Sequence, residues 1–353
     1  MELNDLLRQQ SEWLKGAGPS AEIVMSSRVR LARNLERVPF SHWANKKQLE
    51  QVLHSVEAAI LESGCLDDPI SVRLKGVEEV DRQFLVERHL ISREHGVNPD
   101  HKSVVFSRNE MLSIMINEED HLRIQALQSG LSIHQAWERA NRADDLLSER
   151  LTFAFRKEFG YLTCCPTNAG TGIRASVMMH LPSLVLTKQI NKVLQAIAKL
   201  NLTSRGLYGE GTEASGNFFQ ISNQFTLGQT EGEIIEHLQR VILQVIEHEQ
   251  NARRALLAQN RELLEDRIWR AYGTLKGARI ITSHETIDLL STVRLGVDMG
   301  LLKDVERATL NDLFIMTQPA HLQKLEGKVL GAAERDVKRA ALVRERLTKR
   351  SAG

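Results

Sequence analysis

Cysteine is scarce in this sequence, which contains only Cys65, Cys164 and Cys165 among its 353 residues. So few thiols, in an odd number, exclude the disulfide framework that stabilises small secreted domains. The N-terminal segment MELNDLLRQQSEW also lacks the basic region and apolar run of a secretory signal. We therefore expect a cytoplasmic protein whose thiols are reduced.

Excess charge and long apolar runs are absent too. The 46 Lys and Arg residues balance 45 Asp and Glu residues, which leaves a formal charge of +1. A balanced charge gives no bulk attraction for nucleic acid or an anionic membrane, so any anion site must be local. No run approaches the roughly 20 apolar residues of a membrane helix. We expect neither nucleic acid nor a membrane as a partner.

The apolar pattern predicts a mixed α+β region followed by a helical one. Residues 103–120 and 218–227 are typical of strands, and a T-x-x-E capping box at residues 230–233 precedes a long apolar helix. Every strong signal after that helix is helical, including a predicted N-cap at Ser283 and a first-turn proline at Pro319.

Two arginines, Arg28 and Arg30, are two residues apart in the β-forming segment IVMSSRVRLARN. On a strand both guanidinium groups leave the same face, where like charges repel unless an anion lies between them. A solvated strand face is the alternative, because exposed charge is common.

An acidic cluster follows an apolar strand in the segment NEEDHLR, which contains Glu118, Glu119, Asp120 and Arg123. Loops at strand ends often carry function. Clustered carboxylates are also consistent with a metal site or with a solvated turn, and the segment alone leaves these alternatives open.

Two glycine-rich segments each carry an arginine: CCPTNAGTGIRASV contains Arg174, and RGLYGEGTEASG begins at Arg205. Glycines let the backbone approach a ligand closely, although most such loops are only turns. Neither segment matches GxxxxGKS or GxxxxGKT, and no GxGxxG follows a strand, so the usual nucleotide fingerprints are missing. Four separate segments that offer arginine nevertheless favour an anion site.

From about residue 22 to about residue 250 the sequence resembles the catalytic domain of the phosphagen (guanidino) kinases, such as arginine and creatine kinase. The resemblance rests on five segments in this order: SSRVRLARN, NEEDHLRIQAL, CCPTNAGTGIRASV, RGLYGEGTEASG and FQISNQFTLG. Metabolic members of the family carry a helical domain before SSRVR, whereas this chain reaches that segment at Ser26 and has its helical region afterwards. That arrangement is similar to the bacterial protein-arginine kinases. A site without a covering domain can admit an arginine on a polypeptide.

The resemblance implies an α+β fold in three parts. They are an N-terminal arm over residues 1–21, a phosphagen-kinase-type catalytic domain over residues 22–254, and an all-helical C-terminal domain over residues 255–353. The catalytic domain would contain an antiparallel sheet flanked by helices.

The implied reaction transfers the γ-phosphoryl group of MgATP to the guanidinium of arginine side chains in proteins. The cofactors would be ATP and Mg²⁺, with the metal held by phosphate oxygens and water rather than by a protein cage. Met178 stands where family members usually have histidine. The family pattern assigns the nucleotide site to Ser26, Ser27, Arg28, Val29, Arg30, His89, Arg123, Arg174, Ala175, Ser176, Val177, Met178, Arg205, Gly206, Leu207, Tyr208 and Gly209.

The same pattern assigns catalytic roles to Glu119, to Glu210 in the RGLYGE loop and to Cys165. Two carboxylates can bind the planar substrate cation bidentately, fix the attacking nitrogen and accept a proton. The thiolate of Cys165 would lie against that cation without forming a covalent intermediate. We expect Cys164 to point the other way as a small apolar residue.

The segment RDVKRA in the helical region looks like the motif through which protein-arginine kinases bind phosphoarginine allosterically. The motif residues are Arg335, Asp336, Arg339 and Ala340. From spacing alone, a solvated basic helix face is the alternative. We also expect this domain to form a homodimer, because its apolar helical stripes need a partner surface.

The resemblance further implies an activator protein and the Clp unfoldase and protease machinery as partners. Marked proteins would be degraded, or a heat-shock repressor would be inactivated. The alternatives are a small-molecule guanidino kinase that buffers ATP and a non-catalytic phosphoarginine-binding adaptor. The missing helical domain before SSRVR argues against the first, and the presence of every expected arginine, both glutamates and the thiol argues against the second.

Overall fold

The computed structural model describes residues 3–206 and 215–348. Within these ranges the strands are β1 (Val24–Arg33), β2 (Pro69–Arg73), β3 (Ser103–Ser107), β4 (Leu112–Ile116), β5 (Leu122–Ser129), β6 (Phe155–Arg156), β7 (Gly160–Tyr161), β8 (Ile173–His180), β9 (Leu202–Gly206) and β10 (Phe218–Asn223). The first helices are α1 (Lys46–Ser63), α2 (Glu79–Glu87), α3 (Arg93–Val97), α4 (Ile133–Ser148), α5 (Pro182–Leu186) and α6 (Ile190–Lys199). They are followed by α7 (Glu231–Gln259), α8 (Arg261–Gly277), α9 (Ser283–Asp298), α10 (Arg307–Met316), α11 (Pro319–Glu326) and α12 (Ala332–Thr348). No helix in the described ranges is long and apolar enough to cross a membrane.

The predicted antiparallel sheet with flanking helices is confirmed. Eight strands pair in the order β2-β3-β4-β5-β1-β8-β10-β9, and β6 and β7 form a separate hairpin. Strand β1 lies between β5 and β8 and pairs with both in an antiparallel sense. Successive side chains of a strand point to opposite faces, so the sheet divides its residues between two environments.

One face of the sheet is covered by α1, α4 and α7. Val29 and Leu31 of β1 pack there with Ala175 and Val177 of β8, and all four are fully buried. These positions alternate with Arg28 and its neighbours, so the burial of this face determines which side chains the other face receives.

Two smaller apolar clusters flank the other face. Around β3 and β4, Val104, Phe106 and Met115 pack with residues of α2. At the opposite side, Leu127 and Phe218 pack with the C-terminal helices. Between the two clusters lies a polar strip formed by the middle of β1, β5 and β8.

Helix ends follow the capping signals of the sequence. The Thr230 side chain accepts a hydrogen bond from the Glu233 amide at the start of α7, and Pro319 begins α11. The predicted N-cap at Ser283 is one residue late. Thr282 caps α9, because its hydroxyl accepts from the Glu285 amide at 3.2 Å.

The structure joins the three predicted parts closely. Helix α7 continues through residue 254 to Gln259, so the break between the helices falls at Asn260. The N-terminal arm is packed into the structure, because Leu6 lies in the cluster of β3 and β4 and Trp13 in the cluster of the C-terminal helices. The Leu14 carbonyl accepts a hydrogen bond from the Asn311 side chain at 3.0 Å.

A buried ion pair fastens β1 to α4. Arg33 contacts both carboxylate oxygens of Asp144 at 2.8–3.1 Å, and its remaining nitrogen donates to the Ala32 and Thr171 carbonyls. The guanidinium carbon also lies 3.5 Å from the centre of the Tyr161 ring. Arg33 therefore joins the centre of the sheet to the segment that leads into β8.

Replacing Arg33 with Met should destabilise the fold by about 3–5 kcal/mol, because Asp144 would remain buried without its partner. Urea unfolding measures the change. Adding Asp144→Leu to the same chain should recover part of the loss, and Arg270→Ala in an exposed ion pair should have little effect. A single Arg33→Met variant as stable as the unchanged protein would contradict this account.

Candidate active site

The sheet brings five predicted arginines to one face. Arg30 of β1 lies directly opposite Arg174 of β8, and Ala32, on the same side as Arg30, lies opposite Arg123 of β5. Register through β10 places Arg205 of β9 on this face as well. Together with Arg28, these arginines form the floor of the polar strip.

The positive charges of these arginines act on one another. Burial and the charges of Arg123 and Arg174 lower the pKa of Arg28 to about 10. Burial, followed by the charges of Arg28, Arg123 and Arg174, lowers the pKa of Arg30 well below its ordinary value. The pKa of Arg174 is lowered by burial and then by Arg205 and Arg123. The floor is therefore a concentrated positive field.

Carboxylates neutralise this field only at one end. The structure gives Arg28 a neutral partner, the Gln220 side chain at 2.8 Å, and Arg174 another, the Ser222 hydroxyl at 3.1 Å. Among the described residues, Arg123 alone of the five meets a carboxylate, with Glu118 at 2.8 Å. An uncompensated array of permanently charged, planar donors fits a ligand with several negative charges, such as a triphosphate.

A narrow cleft continues from Arg28 towards the C-terminal helices. It is lined by Trp13, Ser26, Arg28, His89, Leu127, Ser176, Met178 and Gln220. Burial, with the charges of Arg28 and Arg93, lowers the pKa of His89 to about 3, so this imidazole is neutral at pH 7. Neutral rings and a thioether beside a cationic floor suit a purine attached to phosphates.

Sequence reasoning missed Trp13, which lies outside the segments that carry the family resemblance. Its ring meets the His89 ring edge to face at a centroid distance of 5.1 Å. Arg88 holds the neighbouring arm by donating to the Ser11 hydroxyl at 2.9 Å and to the Gln9 carbonyl at 3.1 Å. No local signal marks this contact, because Arg88 is 77 residues away from Ser11 in the chain.

Four residues of the predicted nucleotide set point their side chains away from the arginine face. Val29, Ala175 and Val177 face the core on the opposite side of the sheet. Ser27 also points away, and its hydroxyl donates to the Gly130 carbonyl at 2.8 Å. Strand alternation therefore prevents these side chains from contacting a ligand on the arginine face.

The acidic loop divides into carboxylates with different environments. The Glu118 side chain is only 4% exposed, accepts from the Ser92 hydroxyl at 2.6 Å and binds Arg123. Glu119 is the accessible carboxylate, 3.5 Å from Arg123. Burial, and then the negative charge of Asp120, raises the pKa of Glu119. A carboxylate with a raised pKa is a better proton acceptor once it is ionised.

Asp120 joins the acidic loop to the cysteine loop. Its carboxylate accepts from the backbone amide of Cys164 at 2.7 Å and from the Asn34 side chain at 2.6 Å. Asn34 also donates to the Leu162 carbonyl and accepts from the His121 amide, both at 3.0 Å. These contacts bring the Glu119 and Cys165 loops together at the end of β1.

The two adjacent thiols have different surroundings. The Cys165 sulfur lies 2.9 Å from the Thr167 hydroxyl, within the loop that Thr226 fastens by donating to the Thr167 carbonyl at 3.0 Å. Cys164 is not the apolar residue we expected, because its sulfur lies 2.9 Å from His42 Nδ1. Burial and the charges of Asp120 and Glu119 raise the pKa of Cys164 to about 11, so this thiol is protonated at pH 7.

Part of the predicted site cannot be placed. Leu207, Tyr208, Gly209 and the predicted catalytic Glu210 lie outside the described residues, and Gly206 is the last described residue before them. No group of three or more His, Cys, Asp or Glu side chains that could hold a metal ion occurs in residues 3–206 and 215–348.

The predicted phosphoarginine motif lies on α12. Arg335 is partly exposed and donates to the Leu330 carbonyl at 3.0 Å. Arg339 is only 2 % exposed, contacts Asp336, and donates to the Thr317 and Ile281 carbonyls at 2.9 and 3.0 Å. The side chain of Ala340 is buried in the core of the C-terminal helices. The alternative interpretation, a solvated basic helix face, is wrong for Arg339. This buried side chain joins α12 to the ends of neighbouring helices.

Comparison with known proteins agrees with this arrangement. Residues 51–252 match the model of the ATP:guanido phosphotransferase C-terminal catalytic domain. A duplicated taurocyamine kinase from Schistosoma mansoni has 27% sequence identity and a TM-score of 0.60, over 67% of this chain and 34% of that one. A lombricine kinase, at 24% identity, has the same fold with a TM-score of 0.59, over 70% of this chain and 75% of that one. The protein is therefore an ATP:guanidino phosphotransferase in fold and family.

The C-terminal region and the full-length relatives indicate one particular family of these phosphotransferases. Residues 260–352 match the model of the protein-arginine kinase McsB C-terminal domain. A protein-arginine kinase of Halothermothrix orenii is 50% identical over 98% of this chain and 99% of its own length. That of Bacillus subtilis strain 168 is 46% identical over 96% and 93%. This chain belongs to the protein-arginine kinase family.

Replacing Trp13 with Leu should weaken ADP binding roughly three- to tenfold, because the cleft would lose an aromatic wall. Isothermal titration calorimetry, well below the melting temperature of each variant, measures the dissociation constant. Trp137→Leu makes the same change on α4, which does not line the cleft, and should leave the affinity unchanged. If the Trp13→Leu variant bound ADP as tightly as the unchanged protein, Trp13 would not contribute to nucleotide binding.

Asp120→Asn should shift the acidic limb of the kcat/KM profile to lower pH. Glu119 must be ionised to bind a cation, so activity rises as pH increases through its pKa, and the charge of Asp120 raises that pKa. The amide retains an oxygen that can accept from Cys164 and Asn34. Asp145→Asn, on the exposed face of α4, should leave the limb in place. A limb that moves to higher pH in Asp120→Asn would contradict the assignment.

Proposed function

We propose that this protein transfers the γ-phosphoryl group of MgATP to the guanidinium group of arginine side chains in other proteins. The observation that carries the proposal is the array of five arginines on one sheet face, which ends at the loops of Glu119 and Cys165. One part of the site suits a polyanion, and the adjoining part suits a planar cation.

The arginine floor would bind and orient the triphosphate, while the base enters the cleft of Trp13, His89 and Met178. Mg²⁺, held by the phosphate oxygens, would neutralise part of their charge. Charge on the transferred group is spread over its peripheral oxygens in the transition state, so fixed guanidinium groups act where the charge develops. The pKa of His89 is lowered to about 3, so its imidazole is neutral and adds no positive charge next to the base.

The target guanidinium would lie against Glu119, with the Cys165 sulfur as a second partner. A nitrogen–phosphorus bond forms as the bond from the γ-phosphorus to the bridging oxygen breaks, and ADP leaves. The proton lost by the attacking nitrogen goes to the carboxylate of Glu119. Fixing the nitrogen in line is essential because a guanidinium, protonated with a pKa above about 12, is a weak nucleophile.

The choice of a protein substrate over a free guanidino acid rests on the C-terminal helices. They match the domain described for protein-arginine kinases, and the near full-length relatives carry that name. The metabolic guanidino kinases in the comparison share the catalytic fold. A small guanidino substrate therefore remains the second candidate function.

The proposal extends to regulation and partners. Phosphoarginine would be sensed near Arg335 and Asp336, with Arg339 holding the helix ends in place. We also propose that the protein acts as a homodimer in the cytoplasm, with an activator protein, and that its products enter Clp-dependent degradation or relieve a heat-shock repressor. These extensions rest on the family resemblance of RDVKRA and of the catalytic segments.

The purified protein with MgATP should produce acid-labile phosphate on an arginine-containing, loosely folded protein rather than on free arginine. Phosphorus NMR or mass spectrometry at neutral pH identifies the nitrogen-bound phosphate. Label on free arginine alone would favour the small-molecule kinase. Phosphoarginine binding without any transfer would favour the adaptor.

Glu119→Ala should reduce kcat by at least roughly a hundredfold while ADP affinity stays near normal, because the change removes the proton acceptor but no phosphate contact. Cys165→Ser should also weaken turnover strongly. Glu158→Ala, at an exposed position of the β6–β7 hairpin, provides the matched control. Near-normal turnover of Glu119→Ala would exclude Glu119 as the acceptor.

A further inference from the structure

An open groove with aromatic walls adjoins the cysteine loop. We call it the aromatic groove, and its apolar lining includes Leu35, Val38, Phe40, Trp43, Phe155 and Leu162. The groove has a volume of about 250 Å³. Trp43 is 73% exposed and Phe155 is 51% exposed. Large exposed apolar side chains gathered in one place mark an interaction surface more often than scattered ones do.

Ring contacts hold the walls of the aromatic groove apart. The Trp43 ring packs against His42 at a centroid distance of 4.6 Å and against Phe40 at 6.0 Å. On the other side, Phe155 meets Tyr161 edge to face at 5.3 Å across the β6–β7 hairpin. The groove is therefore formed before any ligand enters, which lowers the entropic cost of binding.

The aromatic groove is continuous with the proposed binding site of the target guanidinium. His42, next to Trp43, contacts the Cys164 sulfur, and the Leu162 carbonyl accepts from Asn34, which also holds Asp120. Leu162 precedes Cys165 by three residues, which limits the backbone path between them to about 11 Å. An extended polypeptide advances about 3.3 Å per residue, so a residue two to four positions from the target arginine reaches the groove.

Charged residues that line the aromatic groove favour some substrate side chains over others. Arg37 and Arg156 line the groove together with Glu36. A second basic side chain from a substrate would meet two arginines and one glutamate, whereas an apolar side chain would bury its surface against the rings. The lining thus favours an aromatic or branched apolar residue.

We propose that the aromatic groove binds an apolar side chain that flanks the target arginine in an extended segment of the substrate protein. This inference rests on the proposed function and specifies its substrate class: arginines that lie near apolar residues in unfolded or locally opened chains. In folded proteins apolar residues are buried, so such segments are accessible chiefly when a protein loses its structure.

Peptides with one arginine in a glycine and serine background test the proposal. A series places Phe at each position from four before to four after the arginine, with the all-glycine peptide as the reference. We define the gain as kcat/KM for a Phe peptide divided by kcat/KM for the reference. The gain should reach roughly tenfold or more at one or two positions, as expected for burial of a Phe side chain.

Trp43→Ala and Phe155→Ala should each reduce the gain towards one, and both positions are exposed, so folding should be little affected. Trp269→Ala, which removes a half-exposed tryptophan of α8, should retain the full gain. A gain that survives both groove substitutions would overturn the proposal. So would a Lys series with a gain as large as that of the Phe series.

Two further outcomes separate the possible failures. If no peptide accepts phosphate from MgATP, the proposed function fails and this inference fails with it. If all peptides are phosphorylated with equal kcat/KM, only the groove proposal is overturned. Sedimentation of the same variants identifies a second copy of this chain as the occupant, if Trp43→Ala lowers the mass of the assembly while the gain persists.

Discussion

Mutual repulsion among guanidinium groups is the interaction on which the rest of this structure depends. The floor of the site concentrates Arg28, Arg30, Arg123 and Arg174 on one face of a sheet, where burial and neighbouring charge lower the pKa of three of them. Such an array is unfavourable without an anion, so the surrounding fold must hold it in place. Three apolar clusters, with the largest directly behind the arginines, supply that support. The same repulsion favours binding of a polyphosphate.

The catalytic end of the site depends on a different kind of constraint. Asp120 and Asn34 use their side chains to fasten two loops that are far apart in the chain, and the buried pair of Arg33 and Asp144 fixes the strand from which Asn34 emerges. Glu119 and the cysteine loop are thus held by hydrogen bonds rather than by packing. This permits an accessible carboxylate with a raised pKa beside a rigid sheet. The aromatic groove continues from the same loops.

Much of the site could be predicted from sequence because short motifs and strand periodicity are local. Alternation placed Arg28 and Arg30 on one face, and the same alternation turns the side chains of Val29 and Val177 towards the core. Periodicity could not identify Trp13 as a site residue. Its contact with His89 forms only when the N-terminal arm packs against the rest of the chain. The sequence predicted the strands of residues 103–120, whereas it did not show that a single helix, α7, runs through residue 254.

The sequence by itself determined the class of chemistry, the identity of the arginines and acidic groups, and the helical character of the C-terminal region. The class of chemistry and the site residues follow from the resemblance of short motifs to those of the phosphagen kinases. The helical character follows from a periodicity of 3.6 residues, which acts over short distances along the chain. Only the tertiary structure decided that the N-terminal arm forms one wall of the base cleft, that Arg339 holds helix ends, and that aromatic residues from two loops form a groove beside Cys165. These features depend on contacts between distant segments, which become defined only when the sheet and the helices pack together.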